Sequence, residues 1–230
     1  MKNETEHLRW GWLGNLDRSL STLILDKGRL VRAKNNTTLY SLGQPQDCLY
    51  GIVGGAIKML VTMNEQYPRF GHIAGPGFWF GETEAVTGQV GIMDMMAVGD
   101  TTLLCVSRDV IDEIAAVHPG MWPALTLLAI QNQGLAIGAA DDLMIRDTSK
   151  RLAAVLLRLS SRRNAMQGVS PLNHIPINWN DLSEAANLAR STVAEKLSEF
   201  SHRGLIRKRR RMIEILDANG LENVLTEPAQ

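Results

Sequence analysis

Cysteine is scarce in this chain. Two residues, Cys48 and Cys105, among 230 are too few for a disulfide framework or a thiolate metal cluster. Each sits alone in strand-like surroundings, so both are expected as isolated thiols, with no disulfide in a reducing compartment. Long apolar runs are also missing: none approaches the roughly 18 residues that span a bilayer. Residues 1–20, with Glu4, Glu6, His7 and Arg9, lack the apolar centre of a secretory signal. A cytoplasmic protein with no membrane partner is expected. No Ser-His-Asp grouping, metal-ligand spacing or Gly-rich phosphate loop stands out. There is accordingly no catalytic residue, no metal site and no cofactor to name, and an enzyme is the least supported class.

Net charge is absent too, but only on average. The 24 Lys and Arg balance 24 Asp and Glu. Residues 1–147 hold 11 basic and 16 acidic side chains, whereas residues 148–230 hold 13 and 8. A basic module joined to an acidic one fits a phosphate-binding domain attached to a sensor. Apolar content of 45% and charge of 21% fit folded domains, and the length allows two of them.

From Thr22 to Val106, short apolar runs alternate with Gly, Pro, Asn and Asp, as in LYGIVGGAIKMLV (49–61) and FGHIAGPGFWFGE (70–82). They predict β-strands joined by tight turns, in a barrel or roll. A short helix is expected over Arg108–Val117, stopped by His118-Pro119-Gly120. Pro123 suits the first position of a long helix over 124–146. Its apolar residues supply more than one stripe, so one face can pack on the barrel while another meets a second copy. Gly134 and Gly138 share a face, where close helix approach would compensate their cost of about 0.5–1 kcal/mol. Asp147-Thr148-Ser149 reads as a cap, followed by an amphipathic helix over Lys150–Arg163. The expected domains are 1–123, 124–147 and 148–230.

The segment from Asn178 to Leu216 carries the strongest signal. Asn178 suits an N-cap, with Asp181 in the acidic position of a capping box. Asn187 can take the left-handed conformation of a tight turn. A second helix over Arg190–His202 would bury Val193, Leu197 and Phe200 and present Ser191, Glu195 and Ser198 outward. Gly204 closes it. A two-stranded ribbon then carries Arg207, Lys208, Arg209, Arg210 and Arg211. Two helices and a basic ribbon in this order form a winged helix-turn-helix, which lays its second helix in the major groove. Arg190 can fork onto a guanine and Glu195 can accept from a cytosine amino group. Ser191 can reach a base edge or a phosphate, while Lys196, Arg203 and the arginines of the ribbon supply phosphate affinity. Asn178 and Thr192 complete the expected DNA-binding set.

These pieces resemble the Crp/Fnr superfamily of bacterial transcription regulators over about residues 20–217. LGQPQDCLYGIVGGAIKMLV resembles its early barrel strands, GPGFWFGE its Gly-Glu signature, HPGMW the start of its dimer helix, Asp147 its hinge and LARSTVAEKL its recognition helix. The resemblance implies an α+β fold with an N-terminal double-stranded β-helix or jelly-roll barrel, a long dimerisation helix and a C-terminal winged helix-turn-helix. It implies a homodimer on a near-palindromic double-stranded DNA site, with RNA polymerase as a further partner. The effector pocket falls at Phe80, Gly81, Glu82, Ile92, Met93, Asn132, Ala136 and Ile137. The family's nucleotide-binding members hold the cyclic phosphate with an Arg followed by a small hydroxyl residue. Here those positions are Gly91 and Ile92, with Asp94 close by. The hydroxyls that read the purine are replaced by Ala136 and Ile137. Cyclic AMP binding is therefore not expected; the pocket's Phe78, Trp79, Phe80, Met93, Met95 and Met96 are either plain core or a site for a small apolar effector. Residues 1–47 hold no cysteine for an iron–sulfur cluster, and His72 alone makes no haem site. The alternative reading is an effector-binding protein with a degenerate DNA domain acting through a protein partner. Glu195 and Glu199, opposed to phosphates, give it some support.

Overall fold

The computed structural model describes residues 5–9, 11–62, 67–163 and 171–228. Glu4 of the N-terminal reading lies outside them. The chain divides into two units: one carried by residues up to 68 and 74–133, the other by 69–73, 134–163 and 171–228.

The first unit starts with 3₁₀ turns at Glu6–Arg9 and Trp12–Asn15, then helix α1, Arg18–Lys27. The expectation that strands begin at Thr22 is corrected by this helix. Asp17 accepts hydrogen bonds from the amides of Ser19 and Leu20, and buried Leu20 and Ile24 repeat at helical spacing, which carries the helix through the β-branched Thr22. Six strands follow: β1 Arg29–Ala33, β2 Thr38–Tyr40, β3 Cys48–Val61, β4 Arg69–Ala74, β5 Trp79–Phe80 and, after helix α2 Glu82–Thr87, β6 Asp94–Ser107. They form a single sheet ordered β1-β6-β3-β4, with β2 also on β6 and β5 also on β3. All but one residue of β4 belong to the second unit.

The expected barrel is a roll that does not close, since β1 and β4 remain the two ends of the pairing order. Curvature comes instead from β3 and β6, 14 residues each, whose register shifts on both sides of Gly54. Next to it Gly55 has φ 82°, and a β-carbon there would fall 2.7 Å from the Asp100 carbonyl oxygen. Only glycine fits that bend. Leu49, Ile52, Ile57, Leu103 and Val106, on β3 and β6, are buried with no exposure.

The two cysteines are not isolated. Cys48 and Cys105 are buried, unbonded thiols on the neighbouring strands β3 and β6, with 2.9 Å between their sulfurs. The sheet register brings them together, and sequence spacing carried no sign of it.

Helix α3, Arg108–Val117, falls where expected. Helix α4, Met121–Met144, begins before Pro123 rather than at it. Proline is tolerated in that first turn because the amides there have no partner within the helix to lose. Leu125 and Leu128 are buried, whereas Leu127, Ile130, Ile137, Leu143 and Met144 are exposed. A β-carbon on Gly134 would meet nothing within 4 Å.

In the second unit, helix α5 spans Thr148–Leu159 with Asp147 capping the Lys150 amide, shorter than the expected 150–163. Ser161, at φ 57°, lies past its end. There follow β7 His174–Ile175, α6 Trp179–Ala186, α7 Arg190–His202, β8 Ile206–Arg209, β9 Met212–Ile215 and α8 Ala218–Thr226. The strands pair in the order β7-β9-β8. Helix α8, with Leu221 and Val224 buried, lies beyond the segment read from sequence.

A charged group sits inside this unit. Asp142 on α4 is 0% exposed and accepts from Arg158 Nε at 2.7 Å and Arg163 Nε at 3.0 Å. Arg158, 2% exposed, also approaches His72 Nδ1 at 3.4 Å. His72 is thus a packed histidine, and burial, followed by the nearby Arg158 charge, lowers its pKa to about 3.

Candidate nucleic-acid interface and effector site

Helix α6 is set by its cap. Asn178 Oδ1 accepts from the amides of Asn180 at 2.9 Å and Asp181 at 3.0 Å, and its Nδ2 donates to Asp181 Oδ2. The Asn178 side chain is therefore occupied by folding. Asn187, at φ 48°, makes the tight turn. Val193, Leu197 and Phe200 anchor α7 with no exposure, which leaves Arg190, Ser191 and Glu195 exposed and Thr192 half-buried. Ala189 precedes α7 and offers no side-chain cap, so no side chain competes for the first-turn amides. Lys196 is already engaged, 3.4 Å from Glu195 and 3.3 Å from Glu199.

The ribbon joins β8 to β9 through Arg210 and Arg211, the latter at φ 56°. Its register pairs Arg207 with Glu214. Arg207 NH1 reaches both Glu214 carboxylate oxygens, at 3.2 and 3.1 Å, and Arg209 Nε lies 3.4 Å from one of them. Against an opposing desolvation, Arg207 and then Arg209 hold the Glu214 carboxyl below the usual carboxylate range. Lys208 donates to Ser198 Oγ on α7 at 3.3 Å, which ties ribbon to helix. Arg203 is committed to Glu227 at 2.6 Å. Among the described residues, Arg190, Arg210 and Arg211 are exposed and form no ion pair. Their unspent charge sits at the start of α7 and at the tip of the ribbon.

At the other expected site, Gly81 takes φ 87° directly before α2, with the Cys48 carbonyl crowding the space a β-carbon would need. Glu82, 6% exposed, starts that helix; burial raises its pKa, and a hydrogen bond from Asn132 opposes the rise. Asn132 Nδ2 also donates to the Trp79 carbonyl at 3.3 Å. Phe80, Gly81, Glu82 and Asn132 are thus brought together. Met93 is half-buried, Ile92 is 56% exposed, and Ala136 and Ile137 are exposed on the part of α4 that belongs to the second unit. Phe78, Trp79 and Met95 are packed core.

The sequence reading named Glu82 and Asn132 here but missed Glu84, Tyr40, Tyr50 and Gln131. Glu84 is buried as well, and Tyr50 stacks on Phe80 at 5.4 Å, with Tyr40 6.5 Å from Tyr50. Burial first, then Glu84 and Glu82, push the Tyr40 phenol upward. Among the described residues, Trp79 Nε1, Gln131 Oε1 and Asn132 Oδ1 are buried and find no hydrogen-bond partner. A second carboxylate within a turn of Glu82 was the available signal for Glu84.

An open sensor-type β-roll followed by a winged helix-turn-helix defines a two-module transcription regulator. Residues 30–118 match the cyclic nucleotide-binding domain family, and residues 150–224 match the Crp-like helix-turn-helix domain family. The chain is 24% identical to the transcriptional regulatory protein btr of Bordetella pertussis over 219 residues, covering 94% of this chain and 87% of that protein. It is 23% identical to a CRP-like cAMP-activated global transcriptional regulator of Mycobacterium tuberculosis, covering 80% and 82%. Among solved structures, FixK2 from Bradyrhizobium japonicum shares the fold with a TM-score of 0.71 at 18% identity, over 88% of this chain and 99% of that one. The chain belongs to the Crp/Fnr superfamily of transcription regulators.

Proposed function

We propose that the chain acts in the cytoplasm as a homodimeric, sequence-specific DNA-binding regulator, with an effector domain over 1–123, a dimerisation helix and hinge over 124–147 and a DNA-binding domain over 148–230. The observation that carries this reading is the exposed edge of α7, led by the unpaired Arg190, beside a ribbon whose tip holds the unpaired Arg210 and Arg211. Arg190, Ser191, Thr192 and Glu195 would face base edges; Arg210 and Arg211, with Arg203, Arg207, Lys208 and Arg209 once freed, would face phosphates. Leu127, Ile130, Gly134 and Ile137 recur on α4 at the alternating three- and four-residue steps of a coiled-coil seam, with Asp141 at the next step and Met144 after it, which supports pairing with a second copy. Two recognition helices in such a dimer would read half-sites about 34–36 Å apart. RNA polymerase is the further partner this role would require.

The effector is not a cyclic nucleotide on this reading. Gly91 and Ile92 give the phosphate no cation or hydroxyl, an interaction of about 1.5–3 kcal/mol. The buried acids Glu82 and Glu84 supply no cation in their place. A small molecule with an apolar or aromatic body fits better, its polar end meeting Trp79 Nε1 or Asn132 Oδ1. Calorimetric titration with cyclic AMP tests this, and micromolar affinity would overturn it. The second reading, a degenerate DNA domain that works through a protein partner, is favoured by Lys196 being neutralised within α7. Selection from random duplex DNA at low salt separates the two readings. An enriched near-palindrome supports the regulator, and absence of any complex supports the protein partner.

A further inference from the structure

The regulator reading makes no use of the thiol pair in the roll. Tyr50 on β3 stands opposite Cys105 on β6, and Cys48 stands opposite Ser107. Cys48 and Cys105 are therefore diagonal neighbours on one face of the sheet. Their sulfurs, 2.9 Å apart, are well inside the separation of two unbonded sulfur atoms and about 0.9 Å from the length of a disulfide. Arg29 stands opposite Cys105 on β1, and Asp47 adjoins Cys48. Both cysteine residues are nearly covered, at 6% and 2% exposure, while Arg29 and Asp47 beside them are exposed. The way in suits a very small reagent.

We propose that Cys48 and Cys105 are a site of reversible oxidation, closing to an intramolecular disulfide when the chain meets hydrogen peroxide. The two sulfurs have different roles. The hydrogen bond shared with Cys48 and the Arg29 charge, against the effect of burial, hold the Cys105 thiol down to about 7. The same hydrogen bond, then burial and the Asp47 carboxylate, push Cys48 upward. Cys105 is thus the thiolate and Cys48 the resolving thiol. The Cys105 thiolate attacks one peroxide oxygen and the O–O bond breaks. Cys105 becomes a sulfenic acid, and the departing hydroxide takes up a proton to leave as water. The Cys48 sulfur then attacks the Cys105 sulfur: the S–S bond forms, the S–O bond breaks, and the released hydroxide leaves as water with the Cys48 proton. Two thiols lose two electrons in all, and one peroxide becomes two waters. Transient disulfides of this kind are the ones a reducing compartment admits.

The test uses the full-length reduced protein, treated with one equivalent of hydrogen peroxide, unfolded in the presence of a maleimide and weighed intact. The expected product is about 2 Da lighter, takes up no maleimide, and yields one peptide pair linking Cys48 to Cys105. Dithiothreitol should restore labelling of both thiols. In Cys48→Ser the oxidation should stop at a Cys105 sulfenic acid, captured by dimedone. Full maleimide labelling after peroxide, oxygen added to one sulfur of the native chain without a link, or a link between two chains would each overturn the proposal.

Discussion

Asp142→Ala removes the acceptor of two arginines at once. The carboxylate is 0% exposed, with one oxygen 2.7 Å from Arg158 Nε and the other 3.0 Å from Arg163 Nε. Arg163 is partly exposed and also reaches Asp141, so it can turn to water. Arg158, at 2% exposure, cannot; the neutral His72 ring at 3.4 Å would be left facing its charge. Stranding a buried charge in this way costs about 3–5 kcal/mol. With a urea m-value of about 2 kcal/mol/M, the unfolding midpoint should fall by roughly 1.5–2.5 M, read by circular dichroism. The double variant Asp142→Leu with Arg158→Met removes the charge as well as its partner, and should recover most of that loss. A single variant within about 1 kcal/mol of the parent, or a double variant no better than the single, would refute the reasoning.

Two further outcomes follow from the same geometry. Glu214→Gln releases Arg207 and Arg209 to meet phosphates, so DNA affinity should rise and the slope of log K against log salt should steepen by up to about 1.8, at roughly 0.9 per phosphate. Anisotropy titrations across salt would show this, and an unchanged slope would count against the self-neutralised ribbon. His72 has its pKa lowered to about 3, mainly by burial. Neutral histidine is favoured in the fold, so the stability it affects is complete above its unfolded value of about 6.5 and is lost as pH falls toward 3. The parent should lose up to about 1.4 kcal/mol per pH unit in that window relative to His72→Gln. Parallel curves for the two proteins from pH 7 to 4.5 would contradict it.

What the sequence could tell depended on how local the cause was. Helix α7 was legible because Val193, Leu197 and Phe200 repeat at helical spacing, and α6 because Asn178 and Asp181 cap within three residues. Helix α3 falls between Ser107 and the His118-Pro119 stop. The pairing of Arg207 with Glu214 was also within reach, since counting outward from a two-residue turn at Arg210-Arg211 sets that register. The thiol contact was not. It depends on how β3 meets β6, two strands far apart in sequence whose register shifts around Gly54. The Asp142–Arg158 pair links separate helices, which no spacing rule encodes. Thr22 misled because the first of the short apolar runs reads as a strand where the Asp17 cap decided for helix. Tyr40 and Tyr50 were missed at the effector site because they come from strands remote from the Gly81-Glu82 motif.

The most direct measurement is the affinity of the full-length protein and of Arg190→Ala for a duplex selected by the protein itself, set against random duplex at the same salt. If α7 reads base edges, Arg190→Ala should weaken the selected site by about 1–3 kcal/mol, roughly five- to 150-fold, and random duplex much less. Failure of the native protein to bind any duplex, or equal loss on both duplexes, would contradict that claim.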